Sequence, residues 1–159
     1  MPSLTQWRTR GDVCSSVTHA AENARSVIRV VIAEDQASVR RETVLLLSMA
    51  HDMECVGQAS NGDEAVKLAL VLHPDVVLMD LHMPIKSGVV ATREITLAQP
   101  STQILVLTTL DDDETVFEAV RAGAQGFLLK DAGEEELLEA IRALRRGESR
   151  LTPQIAREK

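Results

Sequence analysis

The sequence predicts an α/β fold, a doubly wound five-stranded parallel sheet with helices on both faces. Two observations carry this. Five short apolar runs, at Ile28–Ala33, Met53–Ala59, Val76–Asp80, Gln103–Leu107 and Gly126–Leu129, alternate with five stretches whose apolar residues recur at helical spacing. Runs such as Val76-Val77-Leu78-Met79 are continuously apolar, the pattern of a strand buried on both faces. At 159 residues the chain has room for one domain with a full core plus some extra length. Each strand–helix–strand connection is expected to be right-handed.

The first run, Ile28-Arg29-Val30-Val31-Ile32-Ala33, is rich in β-branched residues and ends on Glu34-Asp35. Val39 to Met49 carries the first helical pattern. Met53 to Ala59 is the second strand, and Ser60-Asn61-Gly62-Asp63-Glu64 supplies the cap and acidic first turn of a helix running to about His73, where Pro74 breaks it. The third strand delivers Asp80 to the edge of the sheet, into the loop Leu81-His82-Met83-Pro84. Val89 to Ala98 is the next helix, stopped before Pro100, and Gln103 to Leu107 is a strand ending on Thr108-Thr109. Asp111-Asp112-Asp113-Glu114 opens a helix that reaches Ala122, with Gly123 as its C-cap. Gly126 to Leu129 is a short strand ending on Lys130. Glu134 to Arg146 is acidic at its start and basic at its end, as the helix dipole prefers, and Gly147 follows it. The stripes Val44, Leu45, Leu46, Leu47 and Leu137, Leu138, Ile141, Leu144 are expected to be mostly core.

Residues 1–26 hold no sustained periodicity and are expected to form a flexible N-terminal tail; residues 148–159, polar and containing Pro153, read as the start of a C-terminal linker. A net charge of -7 argues against a nucleic-acid surface in these residues, because phosphate contacts need clustered Lys and Arg. With one Trp, two Phe and no Tyr there is almost no platform for stacking bases. Cys14 and Cys55 show no metal-ligand spacing, and Cys55 reads as a small core residue. No run approaches the length of a membrane span and no signal-peptide core is present, so a cytoplasmic location without membrane contact is expected.

In an open parallel sheet, ligands sit at the carboxyl ends of the strands, where the strand order reverses. Four of the five strands end on a polar group: Glu34-Asp35, Asp80, Thr108 and Lys130. Each alone has an ordinary explanation, as a helix start, a turn former, a solvated strand end or a snorkelling lysine. Brought to one rim, three carboxylates would repel one another unless a cation sat among them. Hard oxygen ligands without His or Cys point to Mg²⁺. An ammonium and a hydroxyl beside them suit a phosphoryl group carried on Asp80.

The ordered set Glu34-Asp35, Asp80 with Met83-Pro84 and Gly88, Thr108, and Phe127-Leu128-Leu129-Lys130 resembles the receiver domain of two-component response regulators. The resemblance covers about residues 27–147 and implies a flavodoxin-like sheet with strand order 2-1-3-4-5. It implies that Asp80 accepts a phosphoryl group from a sensor histidine kinase, and that the phosphorylated chain can also lose it by self-dephosphorylation. Asp35, Asp80 and the backbone carbonyl of His82 would bind Mg²⁺, with Glu34 joining through water. Thr108 and Phe127 match the family's switch pair, and Lys130 its phosphate-binding lysine. Asp131 after Lys130, together with Leu107 to Glu114, resembles receivers of the LuxR/NarL type. Members of that type carry a C-terminal DNA-binding domain that this chain does not contain; homodimerisation on phosphorylation is the expected partner change. His82 and Leu110 occupy the positions that modulate phosphoryl lifetime in the family, although the His82 side chain is most simply a solvated loop residue.

The rival use of a strand-end Asp, that of haloacid-dehalogenase-like phosphatases, requires a second Asp two residues later. His82 stands there. A flavodoxin-like cofactor domain is disfavoured because Glu34-Asp35 would repel a phosphate at the first loop.

Overall fold

A computed structural model describes residues 27–109 and 113–151. The expected tail at 1–26, residues 110–112 with Leu110, and the linker beyond 151 lie outside them. The strands are β1 (Ile28–Ala33), β2 (Met53–Ala59), β3 (Val76–Asp80), β4 (Gln103–Thr108) and β5 (Gly126–Leu129); the helices are α1 (Ala37–Ser48), α2 (Gly62–Leu72), α3 (Gly88–Ala98), α4 (Asp113–Ala122) and α5 (Glu134–Arg145). All ladders are parallel and the order is β2-β1-β3-β4-β5, the order implied by the resemblance. No helix among the described residues is long and apolar enough to cross a membrane.

Side chains alternate between the two faces of each strand, and this splits the core in two. Val31, Val77, Met79, Ile104 and Val106 pack under α2, α3 and α4. Val30, Ile32, Leu78 and Leu105 pack with Leu47, Ile141 and Leu144 of α1 and α5. The β1–β2 register slips by one residue at Val56, which leaves Val31 opposite Gly57.

Local chemistry explains most boundaries. Asn61 caps α2 by accepting from the Glu64 amide at 2.9 Å, while the Glu64 carboxylate reaches back to the amide of Ser60, one residue before the cap, at 2.7 Å. His73 ends α2 in the left-handed region, φ 49°, before Pro74. Gln99, Thr102 and the carbonyls of Ala69 and Pro74 form a buried hydrogen-bonded cluster that fastens the end of α3 to the end of α2. Helix α1 begins two residues before the apolar pattern does, since Ala37 and Ser38 are exposed and carry no periodic signal. Of the stripe Val44 to Leu47, expected to be mostly core, Leu45 is the exception: it is 64% exposed while Leu47 is fully buried. Four consecutive residues travel most of the way round a helix, so one of them must face solvent. Cys55 is half-buried, its thiol donating to the Gly57 carbonyl at 3.4 Å.

The amino end of the sheet is held by ion pairs. Arg142 grips Asp52 through two nitrogens at 2.7 and 3.1 Å, and Arg145 reaches Asp75, which also accepts from the Arg29 amide. The hydrogen bond from Arg142 holds the Asp52 carboxyl below its ordinary range. A depressed folded-state pKa gives stability that is complete above the unfolded value and is lost progressively as pH falls from there through the folded value. Acid titration of unfolding should therefore show wild type losing more stability than Asp52→Asn below about pH 4, and no difference in slope above about pH 5.

Candidate functional site

Because the order is β2-β1-β3, the connections leave β1 and β3 toward opposite edges of the sheet, and the residues that follow those two parallel strands become neighbours. Glu34 follows β1 and is 3% exposed; Asp80 ends β3 and is 1% exposed. Together with the exposed Asp35, each offers a carboxylate oxygen within 4.8 Å of the others. Lys130, following β5, points its ammonium to Asp80 Oδ1 at 3.1 Å and to Glu34 Oε1 at 3.4 Å. Its side chain is 31% exposed, so the pair opens to solvent on the lysine side.

The oxygens of the two buried carboxylates have distinct surroundings. Glu34 Oε2 accepts from the amide of Gln36, the residue before α1, at 3.0 Å, while Oε1 has the lysine contact but no hydrogen bond. Asp80 Oδ1 accepts from the His82 amide at 3.3 Å and faces Lys130, whereas Asp80 Oδ2 is buried with no hydrogen-bond partner. An orphaned buried oxygen is costly, about 1–3 kcal/mol, and this one lies beside a lysine and two further carboxylates, where a cation or an added group would satisfy it. Burial, with Asp80 and Asp35 nearby, pushes the Glu34 carboxyl up to about 7 despite the Gln36 amide and Lys130. Burial pulls the Lys130 ammonium down, but its pairing with Asp80 and Glu34 outweighs that and holds it above its ordinary value.

Thr108 is the last residue of β4 and is buried; its hydroxyl lies 3.5 Å from the Thr109 carbonyl. Its own carbonyl accepts from the Lys130 amide at 2.7 Å, which ties the ends of β4 and β5 together. Phe127 pairs with Val106, two residues before Thr108, so Thr108 and Phe127 lie on the same face of adjacent strands. Phe127 is half-buried against the apolar cluster under α2 to α4. The His82 side chain is exposed, as expected for a loop residue.

The loop from Leu81 to Ser87 is braced from three sides, which sequence reading did not anticipate. A Cβ on Gly88 would lie 2.3 Å from the Asp80 carbonyl oxygen and 2.7 Å from Leu81 Cα, and a Cβ on Gly62 would lie 2.1 Å from the Lys86 carbonyl oxygen. That oxygen accepts from the Gly62 amide at 3.0 Å, and the Lys86 ammonium reaches Glu94 at 2.7 Å and Asp63 at 3.7 Å. Pro84 to Lys86 form a tight γ-turn, the Lys86 amide donating to the Pro84 carbonyl at 2.7 Å with Ile85 at φ 71°. A β-branched residue in that region is strained. Gly62 read as part of a helix cap, and nothing in Asn61-Gly62-Asp63 signals the loop that lies against it.

Residues 30–142 match the response regulator receiver domain family, and the chain belongs to it. The chain is 48% identical over 122 residues to the uncharacterized transcriptional regulatory protein YxjL of Bacillus subtilis, a stretch that is 77% of this chain and 56% of that protein. The crystal structure of a LuxR-family two-component response regulator from Aurantimonas superposes with a TM-score of 0.75 at 32% identity, covering 84% of this chain and 95% of the other. The receiver domain of the response regulator NarL from Mycobacterium tuberculosis gives 0.73 at 31% identity, over 76% of this chain and 98% of that one. Within the family the chain is of the LuxR/NarL type. It spans between 56 and 59% of the length of the first curated relatives it matches.

The two glycines give a direct check on the bracing. Gly88→Ala and Gly62→Ala should each destabilise the fold by about 1–3 kcal/mol, as overpacking against backbone does. Gly133→Ala, where a Cβ would meet nothing within 4 Å, should stay within about 0.5 kcal/mol in the same urea titration.

Proposed function

We propose that this chain is the phosphoacceptor of a two-component signalling pair, taking a phosphoryl group on Asp80 from the phosphohistidine of a sensor kinase. The observation that carries the reading is Asp80 Oδ2, a buried carboxylate oxygen without a hydrogen-bond partner beside a lysine and two further carboxylates. Asp80 Oδ2 attacks phosphorus in line and forms the O–P bond. The donor's P–N bond breaks, its electron pair goes to the imidazole nitrogen, and that nitrogen takes a proton from solvent. Lys130, already 3.1 Å from Asp80, offsets the charge that gathers on the phosphoryl oxygens.

The acid cluster fits Mg²⁺: three carboxylates, two of them presenting buried oxygens without hydrogen bonds, and neither Cys nor His among them. Glu34, Asp35, Asp80 and the His82 backbone carbonyl would hold the ion, which supplies positive charge for the phosphoryl oxygens when bound. Hydrolysis of the acyl phosphate resets the chain.

Phosphorylation adds nearly two negative charges at the rim, and the Thr108 hydroxyl is the donor placed on β4 to meet them. Its movement frees space on the sheet face that it shares with Phe127, so the aromatic ring turns inward and the face at β5 changes shape. The consequence proposed is a change in homodimerisation and in the hold on a C-terminal DNA-binding output domain. The YxjL relative is described as a transcriptional regulatory protein, and the part of it beyond the match leaves room for such a domain. Residues 1–26 are proposed to form a tail, 27–147 the receiver and 148–159 the beginning of the linker. The acid pair, Lys130 and the absence of a second Asp at position 82 favour this over a released-phosphate hydrolase.

Incubation with acetyl phosphate and Mg²⁺ should add the mass of one phosphoryl group to the intact chain and none to Asp80→Asn. Labelling that persists in Asp80→Asn would refute the assignment. Lys130→Ala should keep Mg²⁺ affinity within a few-fold while losing the phosphorylation-dependent change in dimerisation, followed by light scattering; loss of Mg²⁺ binding outright would give Lys130 a different role.

A further inference from the structure

The chain does not leave the domain at the end of α5. Gly147 takes the left-handed conformation, φ 88°, its amide donating to Leu144 and the Glu148 amide to Ala143, so the chain turns back on itself. It then runs along the outer edge of β5. The Arg150 amide donates to the Gln125 carbonyl at 2.9 Å, and the Phe127 amide donates to the Arg150 carbonyl at 3.2 Å. Gly126 and Arg150 form a parallel bridge, and a Cβ on Gly126 would come within 3.0 Å of Arg150 Cβ, so the close approach depends on glycine. Leu151 packs onto the same apolar cluster as Phe127, and both line an open cleft of about 450 Å³ between β5, Glu136 and Ser149–Leu151.

β5 is an edge strand, and an edge offers unpaired amides and carbonyls to whatever chain reaches it. Here the occupant is the chain's own Ser149–Leu151 segment, and its two hydrogen bonds flank Gly126, one of them made by the Phe127 amide. We propose that Glu148–Leu151 is a releasable strap: it docks on the edge of β5 through Arg150 and Leu151, and it lets go when the Phe127 ring turns inward and withdraws from the cleft that it lines with Leu151. The strap would then convert movement of one aromatic ring into freedom of the segment that leads away from the domain. The docking stands on its own contacts, while its release by phosphorylation rests on the phosphoacceptor reading above.

Amide hydrogen exchange by NMR on the full chain tests it. The Phe127 and Arg150 amides should be protected to a similar degree in the unmodified protein. Arg150→Pro, which removes the donor to Gln125, should cut Phe127 protection at least tenfold; Phe127→Ala should do the same to the Arg150 amide. The Lys130 amide, bonded to the Thr108 carbonyl, reports the β4–β5 ladder and should change less than twofold, which separates strap release from unfolding. Acetyl phosphate with Mg²⁺, its label verified by mass on the same sample, should lower protection at Phe127 and Arg150 at least tenfold. A Phe127 amide that exchanges freely in the unmodified chain, or Arg150 protection indifferent to Phe127→Ala, overturns the strap. Protection unchanged in a fully phosphorylated sample makes the segment a static sixth strand and overturns its release. A chain that takes no phosphate contradicts the phosphoacceptor reading, and the strap is then decided by the two variants.

Discussion

Two carboxylates buried side by side at the ends of neighbouring strands, with one ammonium between them and the solvent, are the constraint on which this structure turns. Parallel pairing of β1 with β3 leaves Glu34 and Asp80 no way to avoid each other. Like charges that close in a desolvated rim are unfavourable, and the chain accommodates them by raising the Glu34 carboxyl to about 7 and by bringing Lys130 across from β5. The arrangement is poor as an apolar core and well suited to binding positive charge and transferring phosphate. That contrast is the physical reason to read the rim as a reactive site.

The surrounding construction keeps Asp80 where it is. The loop that follows it is pressed by Gly62 and Gly88 at distances no side chain would permit, pinned by Lys86 to two helices, and turned at Ile85 in a strained conformation. At the opposite end of the sheet, Asp52–Arg142 and Asp75–Arg145 bind α5 to the strand starts. The domain is thus fixed at one end and loaded at the other. Thr108 and Phe127 share a face of β4 and β5, and the Phe127 amide pairs with Arg150 at the outer edge of β5.

Much of this was legible from residues alone. Continuous apolar runs set the strands, and the polar groups that end them mark the rim. What stayed hidden has physical reasons. Leu45 looked like its neighbours because a run of four apolar residues on a helix gives no phase. Gly62 looked like a capping residue because a close approach is made by the partner's backbone, which leaves no mark in the local sequence. The pairing of Ser149–Leu151 with β5 rests on two hydrogen bonds and one leucine, too short for any periodicity. The different surroundings of the two Asp80 oxygens belong to tertiary geometry.

The central claim is that Asp80 itself becomes a mixed anhydride with phosphate. An acyl phosphate is reduced by borohydride to an alcohol, whereas an ionised carboxylate is not. Borohydride treatment of the phosphorylated chain, followed by digestion and peptide mass mapping, should therefore convert residue 80, and no other acidic residue, to homoserine. Reduction at Glu34, Asp35 or any other position with residue 80 intact, or a phosphorylated chain that yields no reduced residue, would contradict the account.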